Sequence, residues 1–73
     1  MSDKDILLKL ASKISYERKK HGLSQEKLAE MAGVNMRSIS MIENGTTNAK
    51  FLTLYRIAQA LNIEVCELVN FHL

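Results

Sequence analysis

Residues 32–45 read AGVNMRSISMIENG, a stretch with a glycine near each end and isoleucine at two positions. This pattern predicts one short α-helix. Asn35 is the expected N-cap, because an asparagine side chain can accept a hydrogen bond from the first helical turn. Gly45 is the expected terminator, since glycine readily adopts the left-handed conformation that ends many helices. At about 100° per residue, Ile39 and Ile42 fall on one side of this helix and are expected to face the core.

The opposite side of the same helix has an unusual composition. It combines one arginine with uncharged polar side chains and a methionine: Arg37, Ser40, Met41 and Asn44, with Met36 on the border of this face. An ordinary solvated helix carries several Lys and Glu side chains. A face that lacks acids but keeps hydrogen-bonding groups suits a nucleic acid, whose base edges need donors and apolar contacts. A polar surface helix or a protein-contact face explains this single helix equally well.

A second short helix precedes this one. Ser24 is its expected N-cap and it runs to about Ala32, so that only Gly33 and Val34 separate it from Asn35. Two short helices joined by a turn that contains glycine match the helix-turn-helix motif, here at about residues 24–45. In that motif the second helix enters the major groove by its N-terminal end, while the first lies over the DNA backbone.

The rest of the chain also has helical periodicity. It predicts a first helix over about residues 3–21, a fourth over about Phe51–Leu61 and a fifth over about Glu64–Asn70. No alternating run of β-branched residues indicates a strand. We therefore predict an all-α fold of five helices, in which residues 1–73 form a single domain.

An acid, Glu43, follows Ile42 and lies on the inward side of its helix, beside Ile39. A buried carboxylate needs a charged or hydrogen-bonding partner. In the first helix, Arg18 lies within about 40° of Ile14 and therefore also points inward. We predict a partly buried ion pair between Arg18 and Glu43 that joins the two helices.

Composition excludes several classes of protein. The chain has 73 residues and a single cysteine, Cys66, so an intramolecular disulfide is excluded and tight packing or self-association is expected to support a small core. No cluster has metal-ligand spacing, and no nucleophile–base pair is evident, so we expect no metal, no cofactor and no catalysis. No segment resembles a membrane span or a signal peptide, which favours a cytoplasmic location. The net charge of +2 does not indicate a partner by itself.

Three segments together resemble a known family. They are LSQEKLAEMAGV (residues 23–34), SISMIENG (residues 38–45) and LYRIAQALNIEVCEL (residues 54–68). They are similar to the Cro/C1-type helix-turn-helix domain of phage repressors and bacterial regulators, over about residues 14–68. The resemblance implies a five-helix lambda-repressor-like fold and a sequence-specific, DNA-binding transcriptional regulator.

The resemblance also implies roles for individual residues. The positions that read base edges are Met36, Arg37, Ser40 and Met41, and those that contact the DNA backbone are Gln25, Asn35, Asn44, Thr46 and Asn48. Arg18 and Glu43 match a paired arginine and glutamate found in some phage repressors. Met36 and Met41 stand where polar or basic readers are common, so Arg37 is the one charged reader and is expected to contact guanine.

Regulators of this kind work as two-fold dimers on palindromic operators, with half-sites about 34–36 Å apart or a multiple of that distance. The apolar end of the chain, about residues 63–73, is predicted to supply the dimer interface. Its candidates are Val65, Leu68, Val69, Phe71 and Leu73. For Val65 and Leu68 the alternative is that they complete the core of the monomer.

Stand-alone members of the family include phage Cro-like repressors, restriction–modification controller proteins and small antitoxins. The size of the chain and its long first helix favour a controller. Controllers usually have an Arg-Thr pair at the positions of Met36 and Arg37, and that pair is missing here. The alternative function is a protein-interaction module, such as an antitoxin, which the modest charge and the two methionines favour.

Overall fold

The computed structural model describes residues 1–71, which form five α-helices and no strand. The helices are α1 (Asp3–Lys20), α2 (Gln25–Ala32), α3 (Met36–Glu43), α4 (Phe51–Ala60) and α5 (Val65–Leu68). Helix α3 packs against α1 and α2, α2 also packs against α4, and α5 closes the bundle against α4 and α1. The all-α prediction is confirmed, and α2 and α3 form the helix-turn-helix.

The predicted helix boundaries are nearly correct except in α5. Helices α1 and α4 each end one residue earlier than predicted. Helix α5 is a single turn that begins at Val65, because Glu64 is its N-cap with extended backbone. The N–H of Glu64 donates to Oε2 of Glu67 at 2.8 Å. Val69 has already left the helical conformation, so the prediction of a helix to Asn70 was wrong.

The caps of the helix-turn-helix agree with the sequence. The hydroxyl of Ser24 accepts a hydrogen bond from the N–H of Lys27 at 2.9 Å. Oδ1 of Asn35 accepts one from the N–H of Arg37 at 2.7 Å. Between them Gly33 has φ +69°, the left-handed conformation that a side chain disfavours. These local bonds set the point at which each helix begins.

The core contains side chains from all five helices. Those that are at most 9% exposed include Leu10, Ile14, Leu28, Ile39, Ile42, Leu54, Ile57, Leu61 and Leu68. Leu68 is fully buried, because the single turn of α5 packs against α4 and α1. The prediction that Leu68 contributes to a dimer interface is therefore wrong, and the alternative, a place in the monomer core, is correct.

Leu8 of α1 covers Gly45, the glycine that follows α3. Gly45 is buried and has φ +69°. A Cβ placed on it would lie 2.7 Å from Cδ2 of Leu8 and 3.5 Å from Cα of Leu8. Gly33 has the same φ of +69°, but within residues 1–71 no heavy atom beyond its two chain neighbours lies within 4 Å of such a Cβ. The two glycines therefore share a backbone conformation and differ in the space around them.

Replacing each glycine by alanine separates these two effects. Gly33→Ala is expected to lower the free energy of unfolding by about 1–2 kcal/mol, the cost of a left-handed alanine. Gly45→Ala is expected to cost about 1–3 kcal/mol more, because its Cβ overlaps Leu8. Urea denaturation measures both. Equal losses would show that Leu8 moves aside freely, and the added Leu8→Ala substitution should remove most of the difference.

Candidate nucleic-acid interface

The outward face of α3 is exposed as its composition predicts. Met36 is 49% exposed and Met41 is 36% exposed, while Ile39 on the other side is fully buried. Arg37 is exposed and Ser40 is half-buried. The structure thus brings the four predicted base readers together on one helix, at the surface.

Arg37 is available to an external partner. Within residues 1–71, the ion pairs join Lys13 to Glu17, Arg18 to Glu43 and Lys27 to Glu30, and none involves Arg37. Its N–H bonds to Asn35, which fixes the backbone but leaves the guanidinium free. A planar guanidinium on an exposed helix can donate two parallel hydrogen bonds to the O6 and N7 acceptors of guanine.

The predicted ion pair between Arg18 and Glu43 is present and is bidentate. Nε of Arg18 donates to Oε2 of Glu43 at 2.7 Å, and Nη2 donates to Oε1 at 2.9 Å. Nη1 of Arg18 donates to the carbonyl oxygen of Leu23 at 2.7 Å. The side chains are 12% and 5% exposed. The hydrogen bonds to Glu43 raise the pKa of Arg18 above its ordinary value, although burial opposes them.

Gln25 extends this pair into a three-helix junction. Its Nε2 donates to Oε1 of Glu43 at 3.3 Å. One carboxylate at the end of α3 therefore binds Arg18 of α1 and Gln25 at the start of α2. The second N–H of the Gln25 amide has no acceptor among the hydrogen bonds of residues 1–71, so it can still donate to a phosphate.

The turn after α3 contains the other predicted backbone contacts. Asn44, Thr46 and Asn48 are all exposed. The hydroxyl and the N–H of Thr46 both donate to the carbonyl oxygen of Met41, each at 3.1 Å. Thr46 therefore caps α3, and its own donors are already used. Asn35 uses its Oδ1 as a cap and keeps its amide donors. Asparagine rather than threonine supplies the free donors of this surface.

Two features of the structure were not predicted from the sequence. Glu17 is 5% exposed, and Nζ of Lys13 donates to it at 3.4 Å. Its spacing from Ile14 could have indicated this burial, because residues three positions apart lie on the same helix face.

The second feature is an exposed apolar strip on α4, with Phe51, Leu52 and Tyr55. The helical periodicity of α4 indicates only its inward face, which carries Leu54, Ile57 and Ala58. It gives no indication of the apolar residues on the outer face.

Comparison with known proteins agrees with this geometry. The helix-turn-helix family HTH_3 matches residues 14–68. Control protein C.SmaI of Serratia marcescens is 37% identical over 66 residues, which cover 90% of this chain and 79% of that protein. The HTH-type transcriptional regulator y4dJ of Sinorhizobium fredii is 38% identical over 53 residues, 73% of this chain and 69% of its own length.

A solved structure shows the same fold. The restriction-modification controller protein C.AhdI of Aeromonas hydrophila superimposes with a TM-score of 0.83 at 34% identity, covering 85% of this chain and 94% of that one. The fold is the lambda-repressor-like helix-turn-helix domain. The chain belongs to the Cro/C1-type helix-turn-helix family, whose members are DNA-binding transcriptional regulators and not enzymes.

No helix within residues 1–71 is both long and apolar enough to span a membrane. No group of three or more His, Cys, Asp or Glu side chains in the same range is arranged to hold a metal ion.

The buried pair can be tested by Glu43→Gln. The amide cannot balance the charge of Arg18, so the free energy of unfolding is expected to fall by about 3 kcal/mol. Glu30→Gln is the matched control, because Glu30 is 71% exposed and pairs with Lys27 at 3.3 Å. Its loss is expected to stay within about 0.5 kcal/mol. Thermal unfolding of both variants measures the contrast, and equal melting temperatures would contradict the role given to Glu43.

Proposed function

We propose that this protein is a homodimeric regulator that binds an inverted-repeat operator, with α3 of each protomer reading one half-site. The observation that carries this proposal is the pairing of an exposed, acid-free face on α3 with a buried clamp at its end. Arg37 is free to donate outward, while Glu43 ties the same helix to α1 and α2. Operator binding would place the protein in the cytoplasm, on the nucleoid.

The four readers divide base recognition among them. Arg37 contacts guanine through two hydrogen bonds, which discriminate against a wrong base by about 1–3 kcal/mol. The apolar side chains of Met36 and Met41 pack on thymine methyl groups, and the hydroxyl of Ser40 serves either as donor or as acceptor. This set favours half-sites that contain both guanine and thymine.

The backbone contacts come from the edges of the same surface. Gln25 lies at the start of α2, whose N-terminal N–H groups favour an anion. Asn35 lies at the start of α3, and Asn44 and Asn48 lie in the turn after it. Their amides donate to phosphates on both sides of the groove and fix the register of α3. Thr46 contributes by holding the turn.

The dimer interface is proposed at the outer face of α4 and α5. Tyr55 and Val65 line one groove, and the ring centroid of Phe51 lies 6.3 Å from that of Tyr55. Leu52 is 65% exposed and Val69 is 47% exposed. Exposed apolar patches are typical of association sites. Of the other predicted residues, Phe71 is half-buried against the core and Leu73 lies outside the described residues.

A role as a restriction–modification controller is the most specific form of this proposal. It is supported by the similarity to control protein C.SmaI and by the superposition with the controller protein C.AhdI. The alternative is a protein-interaction module such as an antitoxin. The exposed methionines of α3 favour that alternative, because flexible methionine side chains suit adaptable protein surfaces.

Selection of bound duplexes from a random DNA pool at about 150 mM salt tests the proposal. Recovery of an inverted repeat supports the homodimeric regulator, and the spacing of its halves reports the separation of the two α3 helices. An unenriched pool would contradict specific DNA binding and favour the protein-interaction alternative.

The role of Arg37 can be tested with two variants. Arg37→Ala is expected to reduce operator affinity by about 1–3 kcal/mol and to relax specificity at one base position of each half-site. Arg37→Lys keeps the charge but lacks the planar guanidinium that donates two parallel hydrogen bonds. This variant should retain non-specific affinity and still lose the preference for guanine. Fluorescence anisotropy on the selected operator and on single-base variants measures both. An unchanged preference in Arg37→Ala would assign guanine recognition to another residue.

The dimer surface can be tested by Val69→Asp. A buried charge in an apolar interface is costly, so this variant is expected to sediment as a monomer at concentrations where the unmodified chain is a dimer. Met31→Asp is the control, because Met31 is 48% exposed and lies on α2, outside the proposed surface. Analytical ultracentrifugation gives the dissociation constants. Equal values for both variants would exclude Val69 from the interface.

A further inference from the structure

The family match begins at residue 14, whereas α1 begins at Asp3. The first three turns of α1 therefore precede the part of the chain that matches the family. Within them, Leu8 is 42% exposed and yet contacts Gly45, a residue of the turn after the reading helix. The three heavy atoms closest to the Cβ position of Gly45 all belong to Leu8.

The turn after α3 is hydrogen-bonded to the last turn of that helix. The N–H of Gly45 donates to the carbonyl oxygen of Ile42 at 3.0 Å, and the N–H and the hydroxyl of Thr46 both donate to that of Met41, each at 3.1 Å. Asn44 and Asn48 on either side are exposed. The side chain of Leu8 thus packs on the backbone of this turn at Gly45.

We propose that Leu8 is a positioning residue for DNA binding, which acts by holding the turn of residues 44–48 against the DNA backbone. The inference rests on the proposed operator binding. Because Gly45 lacks a side chain, the turn approaches α1 closely enough for Leu8 to sit on its backbone. The first part of α1 thereby sets where the amides of Asn44 and Asn48 lie.

The absence of charged side chains from the turn distinguishes a positioning role from other roles. Residues 44–48 are Asn, Gly, Thr, Thr and Asn, so the proposed phosphate contacts of Asn44 and Asn48 use neutral donors. Loss of their alignment weakens binding to every DNA sequence by the same factor and leaves base preference unchanged. A base reader would instead change the preference, and a general loss of folding would be visible without DNA.

The test uses Leu8→Ala with Ile6→Ala as the matched control. Both residues lie in α1 and have similar exposure, 42% and 39%. In the protein without DNA, Leu8→Ala is expected to speed amide hydrogen exchange at Gly45 and Thr46 and not at the caps of α2. Ile6→Ala should leave exchange at Gly45 and Thr46 unchanged. Unchanged exchange in Leu8→Ala would overturn the inference, whatever the DNA result.

With the selected operator, Leu8→Ala is expected to reduce affinity about 10-fold, as for one hydrogen bond to a charged group, with the order of base preferences kept. In an Asn48→Ala background the same substitution should cost less than about 3-fold, because the shared contact is already lost. Leu8→Met should restore most of the affinity. Full affinity of Leu8→Ala, or a fully additive effect with Asn48→Ala, would overturn the positioning role.

The two proposals fail separately in this experiment. If the unmodified chain enriches no DNA sequence, operator binding is contradicted, while exchange at Gly45 and Thr46 still decides whether Leu8 holds the turn. If the unmodified chain binds its operator and Leu8→Ala binds equally well, the positioning role alone is excluded.

Discussion

The carboxylate of Glu43 is the constraint on which the arrangement of the other elements depends. It is almost fully buried, and a buried charge is stable only when its hydrogen bonds are satisfied. Arg18 satisfies it from α1 and Gln25 from the start of α2. Arg18 also binds the carbonyl oxygen of Leu23, so the chain between α1 and α2 is held as well. Helix α3 cannot shift without breaking these bonds.

This junction explains how the eight residues of α3 can both contribute to the core and present an exposed face. On the inner side of α3, Ile39 and Ile42 fill the core, and on the outer side Arg37 and Met41 remain at the surface. A helix this short has little stability alone, because nucleation costs as much as its few hydrogen bonds return. Core packing and the buried ion pair therefore stabilise α3. The residues on its outer face are not needed for stability and can vary to suit a binding partner. The exposed apolar strip proposed for dimer formation lies on α4, a different helix from the proposed reading helix α3.

Local features were readable from the sequence because their physics is local. A cap needs a residue and the turn that follows it, so Ser24 and Asn35 could be placed correctly. The pair of Arg18 with Glu43 was also readable, since two inward charges of opposite sign in a small bundle have few other partners. Helix α5 was predicted too long, because its pattern of apolar residues continues after its backbone has left the helix.

The sequence by itself determined the five helices, the helix-turn-helix and which face of α3 points outward, because periodicity and caps act between residues only a few positions apart. Only the tertiary structure decided that Leu68 belongs to the core, that Thr46 is a cap and that Leu8 rests on Gly45. These contacts depend on how α1 and α5 cross their neighbours. The angle at which two helices cross depends on the packing of many side chains from both helices, so it cannot be predicted from a short segment of sequence.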